Sequence, residues 1–159
     1  IPFGFNQLGL LPRSIRGLLG IVTMPFLHAN LAHLISNTIP LVVLLGLTVA
    51  SRHRAWITIA LIIAGAGVIL WLFGRSAYHI GASGLVFGLI AYLITVGARE
   101  KQLVSAGIAL LVGVLFGMTL ITGIVPRFGS AVSWDGHLFG AISGLMVGIG
   151  TTKANARRT

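Results

Sequence analysis

Ser83 stands in the run HIGASGLVFG (79–88), among Gly81, Gly84 and Gly88, at the mouth of a long apolar stretch. A serine hydroxyl is a weak nucleophile until an adjacent base takes its proton. Histidine is the usual base, because its pKa lies near working pH. His137 heads a second apolar run, HLFGAISG (137–144), whose Gly140 and Gly144, with Gly148 beyond, repeat the four-residue spacing of Gly84 and Gly88. Small residues every four positions clear a stripe along which two helices in lipid pack closely. His137 precedes Gly140 by three residues and Ser83 directly precedes Gly84, so both stand at one end of a glycine seam that could bring imidazole to hydroxyl. A plainer reading stays open beside this one. Glycine seams serve packing in membrane proteins of every function, and serine often bonds only to its own helix.

His33 and Asn37 add to the chemical reading. At i and i+4 they share one helix face, and an imidazole N–H and a carboxamide NH₂ both donate hydrogen bonds. Acyl transfer needs such donors where negative charge develops on a carbonyl oxygen, and the backbone N–H of Ser83 is a third. A metal site lacks ligands: there is no cysteine and no HExxH, His28 and His33 are five apart, and Glu100 belongs to a turn. An aspartyl mechanism needs two carboxylates, and the chain holds one aspartate, Asp135. No cofactor is called for. His28 is read as structural, bonding loop backbone where the first span begins. His53 and His79 read as boundary residues. Asp135, two before His137, is expected to cap the last helix, so a Ser–His dyad is favoured over a triad.

These residues need helices in lipid to hold them. The chain of 159 residues is 56% hydrophobic and 8% charged, with a mean hydropathy of +1.01, whereas a soluble domain carries about a quarter charged residues. A membrane-crossing helix takes about 20 apolar residues. Residues 55–74, 76–98 and 102–126 contain no Lys, Arg, Asp or Glu; 29–51 likewise, though with His33 and Asn37, and a shorter run spans 138–152. The expected architecture is an all-α polytopic bundle of five spans, at about 28 or 30 to 50, 55–73, 82–98, 103–123 and 136–152. Residues 1–27 read as an outer interfacial segment with a short amphipathic helix near 13–20. Residues 28–153 form the bundle carrying the site, and 154–159 a basic tail.

The net charge of +9 is dispersed between the apolar runs, without the cluster or stripe that nucleic acid would require. It fits the excess of Lys and Arg in cytoplasmic loops. Alternate connections give seven on one side (Arg52, Arg54, Arg99, Lys101, Lys153, Arg157, Arg158) and four on the other (Arg13, Arg16, Arg75, Arg127). The C-terminus is therefore expected to be cytoplasmic, with Ser83, His137, His33 and Asn37 near the outer face.

HANLAHLISN (28–37), GASGLVFG (81–88) and HLFGAISG (137–144) resemble, in order and placement, the signatures of rhomboid intramembrane serine proteases, over about residues 28–150. The resemblance implies a six-helix core, with a further span upstream, in a bacterial cytoplasmic membrane. It implies Ser83 as nucleophile, His137 as its base, and an oxyanion hole of His33, Asn37 and the Ser83 N–H. It further implies that Phe87 packs against the catalytic histidine, that His28 is structural, and that substrates are transmembrane proteins cut after a small residue. A Trp-Arg pair common in the first outer loop of many rhomboids is absent, with LGI (19–21) in about its place, which puts that loop's packing in question. The rival expectations are an inactive rhomboid-like binder of transmembrane helices, and a small transporter, for which repeated or broken helices would be expected.

Overall fold

The computed structural model describes residues 5–126 and 132–156, and side chains within 6–126 and 132–153. Arg127, Arg157, Arg158 and the side chains of the basic tail lie outside the described residues. Five long helices carry the fold: α2 (Leu31–Ser51), α3 (Ala55–Phe73), α4 (Ser83–Arg99), α5 (Leu103–Gly123) and α6 (Trp134–Ala156). A short α1 (Gly20–Thr23) lies ahead of them. No strand occurs among the described residues; Leu10 and His79 form an isolated antiparallel bridge.

α2, α3 and α5 are long and apolar enough to cross a membrane. They turn many large side chains outward, among them Ile39, Trp56, Phe73, Leu110, Val114 and Met118, which suits a lipid-facing surface and no aqueous one. α4 differs. Its 17 residues span about 25 Å at 1.5 Å each, short of a hydrocarbon core of about 30 Å. Twelve of its 17 positions are buried. It packs on α2, α3, α5 and, most extensively, α6. The central helix is therefore the short one, and a recess lies at its N-terminal end.

The α4–α6 contact is made by backbone. A Cβ on Gly140 would run into the carbonyl of Gly84, and one on Gly144 into that of Gly88. Gly136 continues the row, its carbonyl facing Gly84. On α6's other flank Ser143 Oγ donates to the Ile62 carbonyl at 3.0 Å and so holds α3.

The N-terminal segment is helical over 16–26, in two 3₁₀ turns flanking α1, three residues later than the expected start near 13. The reason is local: Arg13 has φ +56°, which interrupts a right-handed helix. Arg13 instead ties this segment to the C-terminal end of α3. Its N–H donates to the Trp71 carbonyl at 2.9 Å, and its guanidinium to the Gly74 carbonyl at 2.8 Å and to Ser76 Oγ at 2.9 Å. Trp71 Nε1 returns a bond to the Ser14 carbonyl at 2.8 Å. These bonds, with Gly20 pressed against the Leu10 backbone, pack the loop that lacks the Trp-Arg pair.

At the opposite end Arg52 Nη1 meets Glu100 Oε2 at 2.7 Å, with both side chains largely buried. Ser105 Oγ bridges them, accepting from Arg52 Nη2 at 2.9 Å and donating to Glu100 at 2.7 Å. Removing one partner strands the other's charge away from water. Glu100→Ala is expected to lower unfolding stability by about 3 kcal/mol, measured in detergent, with Glu100→Gln losing less because it still bonds Ser105.

Candidate active site

One recess of about 770 Å³ gathers the residues singled out from the sequence: His33 and Asn37 from α2, Ser83 and Phe87 from α4, and His137 from α6 all line it. Ser36 and Pro40 of α2 and Met118, Thr119 and Thr122 of α5 line it as well.

Ser83 is the first residue of α4. The residue before it, Ala82, makes no side-chain cap, so the first-turn N–H groups stay available to other acceptors, at the positive end of the helix dipole. Gly81 approaches this end with φ +114°, a backbone state that glycine alone adopts without strain. It has a second reason to lack a side chain. A Cβ there would lie 2.8 Å from His33 Nε2 and 3.8 Å from Ser83 Oγ. Gly81 thus separates the two polar groups without filling the space between them, and its N–H is anchored on the Met24 carbonyl at 2.9 Å.

His137 sits in the first turns of α6, its ring stacked on Phe87 with centroids 4.1 Å apart and planes 6° from parallel. Its Nδ1 lies 2.9 Å from the Gly123 carbonyl. A carbonyl only accepts, so Nδ1 carries the proton and Nε2 is the basic nitrogen of the neutral ring. Gly123 joins the candidate site through this contact, and sequence offered no way to find it, because a backbone acceptor has no residue type. Its lack of a side chain also counts, since a Cβ there would strike Phe87.

On α2, Asn30 caps the helix by accepting from the His33 N–H at 2.8 Å. Asn37 is buried and one of its amide protons goes to the His33 carbonyl at 2.8 Å. That bond fixes the carboxamide and leaves its second N–H as a further donor. Asn37→Ala is expected to slow any acyl transfer here by about 10²–10³, read as the rate of serine acylation, with little change in unfolding temperature.

His28 is buried and meets the His33 ring edge to face, centroids 5.2 Å apart. Burial foremost, then the neighbouring His33, push its imidazole below the ordinary histidine range, while its bond to the Phe26 backbone pulls the other way. His28 thus packs edge to face beside His33, and its ring Nε2 is buried with no hydrogen-bond partner among the described residues.

Two expectations are corrected. Asp135 does not cap α6. Ser133 does, its Oγ accepting from the Gly136 N–H at 3.3 Å and its carbonyl from the His137 N–H at 3.1 Å. Asp135, one residue inside the helix, accepts instead from the Arg75 N–H at 2.9 Å and its guanidinium at 3.2 Å. The missed signal was a serine immediately before an apolar run. Nor is His79 a boundary residue: it is buried, 3% exposed, with both ring nitrogens in hydrogen-bond contact. His53, by contrast, is exposed. Among the described residues no group of three or more His, Cys, Asp or Glu could hold a metal ion.

A family model described as the Rhomboid domain matches residues 16–154. Uncharacterized proteins of Mycobacterium tuberculosis and Mycobacterium bovis are 40% identical over 148 residues, covering 87% of this chain and 61% of the relative. One of Mycobacterium leprae is 42% identical over 152 residues, covering 89% and 58%. This chain thus spans about three fifths of the length of its mycobacterial relatives. A protein of Acanthamoeba polyphaga mimivirus named as a rhomboid is 31% identical over 129 residues, covering 76% of this chain and 68% of its own. No solved structure matches the chain.

Proposed function

The chain belongs to the rhomboid family of integral membrane proteins, and from that premise we propose that it is an intramembrane serine endopeptidase working through a Ser83–His137 dyad. Ser83 Oγ attacks a peptide carbonyl while His137 Nε2 takes its proton. The oxygen that becomes negative is held by the Ser83 N–H, the free amide proton of Asn37 and the His33 imidazole. His137 then protonates the departing amine, water attacks the acyl-enzyme under the same base, and Ser83 is regenerated.

The observation that carries this reading is the Gly123 carbonyl on His137 Nδ1. It orients the ring as a buried carboxylate does in a triad, and Asp135 is engaged elsewhere. The substrates are proposed to be transmembrane segments with a small residue before the cut. They would reach the recess sideways between α2 and α5, whose exposed apolar residues suit a partner arriving from lipid. The proposed setting is a bacterial cytoplasmic membrane, with the C-terminus inside and the recess toward the outer water, following the Lys and Arg balance of the loops. The inactive branch of the family loses the serine or the histidine, and this chain keeps both.

A fluorophosphonate tests the proposal. Full-length protein in detergent should be labelled at Ser83, as located by mass spectrometry, and should cut a single-span reporter in liposomes. A stable, folded preparation that takes no label would favour the rivals, an inactive binder of transmembrane helices or a small transporter.

A further inference from the structure

The mechanism above leaves one buried histidine unused. His79 lies four residues before the nucleophile, and its backbone is fixed to the outer loop: its N–H donates to the Leu10 carbonyl at 2.8 Å and its carbonyl accepts from the Leu10 N–H at 3.0 Å. Its ring reaches the other way. Nδ1 is 2.7 Å from Ser133 Oγ, and Nε2 is 3.1 Å from the Arg75 carbonyl and 3.8 Å from Asp135 Oδ2. Ser133 is the residue that caps α6 and receives the His137 N–H. One chain of hydrogen bonds therefore runs from the loop before Ser83 to the backbone of His137.

The donors and acceptors in this cluster can be counted. Ser133 Oγ is 3.2 Å from Asp135 Oδ1; a carboxylate only accepts, so the hydroxyl proton points there. The two acceptor sites of Oγ then take the Gly136 N–H and the proton on His79 Nδ1. Nε2 faces a carbonyl and a carboxylate, both acceptors, and carries a proton as well. Every bond is made at once only when both ring nitrogens are protonated. With one proton the hydroxyl must turn to Nδ1 and the Ser133–Asp135 bond is lost. Among the described residues the charged groups facing the ring are Asp135, which takes two bonds from Arg75, and Arg75 itself, whose guanidinium also reaches the Val132 carbonyl and lies over Trp134. His33, His137 and Tyr78 share the recess with it. Ser133, His79 and Asp135 match a triad by residue type, but the carboxylate lies 3.8 Å from the imidazole, beyond hydrogen-bond reach, and the ring's Nε2 meets the Arg75 carbonyl instead.

We propose that His79 is a positioning residue for the Ser83–His137 pair. The glycine row holds α4 and α6 together below the two reactive side chains, and the His79–Ser133 clamp holds them above. With both in place the separation of hydroxyl and imidazole is set from two sides. This inference rests on the protease reading, and its test includes a readout that does not.

The variants are His79→Phe, Ser133→Ala, their combination, and Ser133→Thr, made in the full-length protein in detergent. The measurements are the fluorophosphonate labelling rate at Ser83, the unfolding temperature, and the side-chain signals of His137 and His79 in a histidine-selective ¹⁵N spectrum. His79→Phe should slow labelling by about tenfold to 10²-fold, the scale of a misplacement near 1 Å, and should shift the His137 signals. Ser133→Ala should do the same, the pair should be no worse than either alone, and Ser133→Thr should restore both. Labelling at the parental rate with only a lowered unfolding temperature would overturn the proposal, as would unmoved His137 signals. If His79→Phe does not fold, Ser133→Ala against Ser133→Thr decides, together with the ring signals of His79: if Ser133→Ala leaves them unmoved, no bond joins the two side chains and the clamp is sunk. If the parent takes no label, the protease reading fails, and the His137 signals still judge the coupling.

Discussion

Ser83→Ala and His137→Ala are each expected to abolish fluorophosphonate labelling and to lower peptide-bond cleavage by at least about 10³-fold, and the double variant is expected to be no slower than either single one. Nucleophile and base act as one unit, so removing the second after the first takes nothing more away. The ring is aimed by two contacts that leave it little freedom, the Phe87 stack and the Gly123 carbonyl. No other imidazole is poised to replace it: His33 borders Gly81 on the α2 side, and His79 is committed to Ser133 and Arg75. A residual rate on the order of 10³ over the uncatalysed reaction should persist from the oxyanion donors alone. Single-turnover labelling with matched unfolding temperatures is the measurement. A His137→Ala protein that labels at the parental rate would mean that another group takes the proton.

Gly144→Ala should be the most damaging conservative change in the bundle away from the recess. The added methyl would strike the Gly88 carbonyl. Backbone cannot swing aside as a side chain does, so α4 and α6 must part. Overpacking of this kind costs about 1–3 kcal/mol. A displacement near 1 Å, carried up to His137, would slow acylation by about 10²-fold. Gly140→Ala meets the Gly84 carbonyl in the same way. The controls are glycines of the same type in α5. Gly107, Gly113 and Gly117 have nothing within 4 Å of an added Cβ, and alanine there should gain up to about 1 kcal/mol of helix propensity. Thermal unfolding and labelling rate, measured on all five variants, should separate the two groups cleanly. Equal behaviour would mean that the α4–α6 contact does not bear on the site.

Much of this was legible in the sequence, for physical reasons. Spans announce themselves because lipid admits no charge, and the limits of α3 and α5 follow directly from where charge stops. The Gly84–Gly88 row could be matched to Gly140–Gly144 because four-residue spacing means one helix face. Gly136 fits that row and was readable too. What could not be read is which of the 22 glycines meet backbone and which meet lipid. Gly113 and Gly117 keep the same spacing and touch nothing. Nor could residue type disclose the Gly123 carbonyl, the Ser133 cap, or the burial of His79 between two loops that are 54 residues apart in the chain. Each depends on how connections fold over the recess, and connections carry no periodicity.

The glycine contact between α4 and α6 also bears on how such a chain can diversify. Where two backbones touch, no rotamer or change of side-chain length can adjust the gap, so the reacting geometry offers almost nothing for drift to act on. The rim is different: Met118, Thr119 and Tyr78 line the recess and are exposed, so they could be exchanged for other sizes and polarities without moving either helix axis. Reactivity and substrate preference are in that sense inherited separately, and new specificities should arise from the rim residues while the rods beneath them stay as they are.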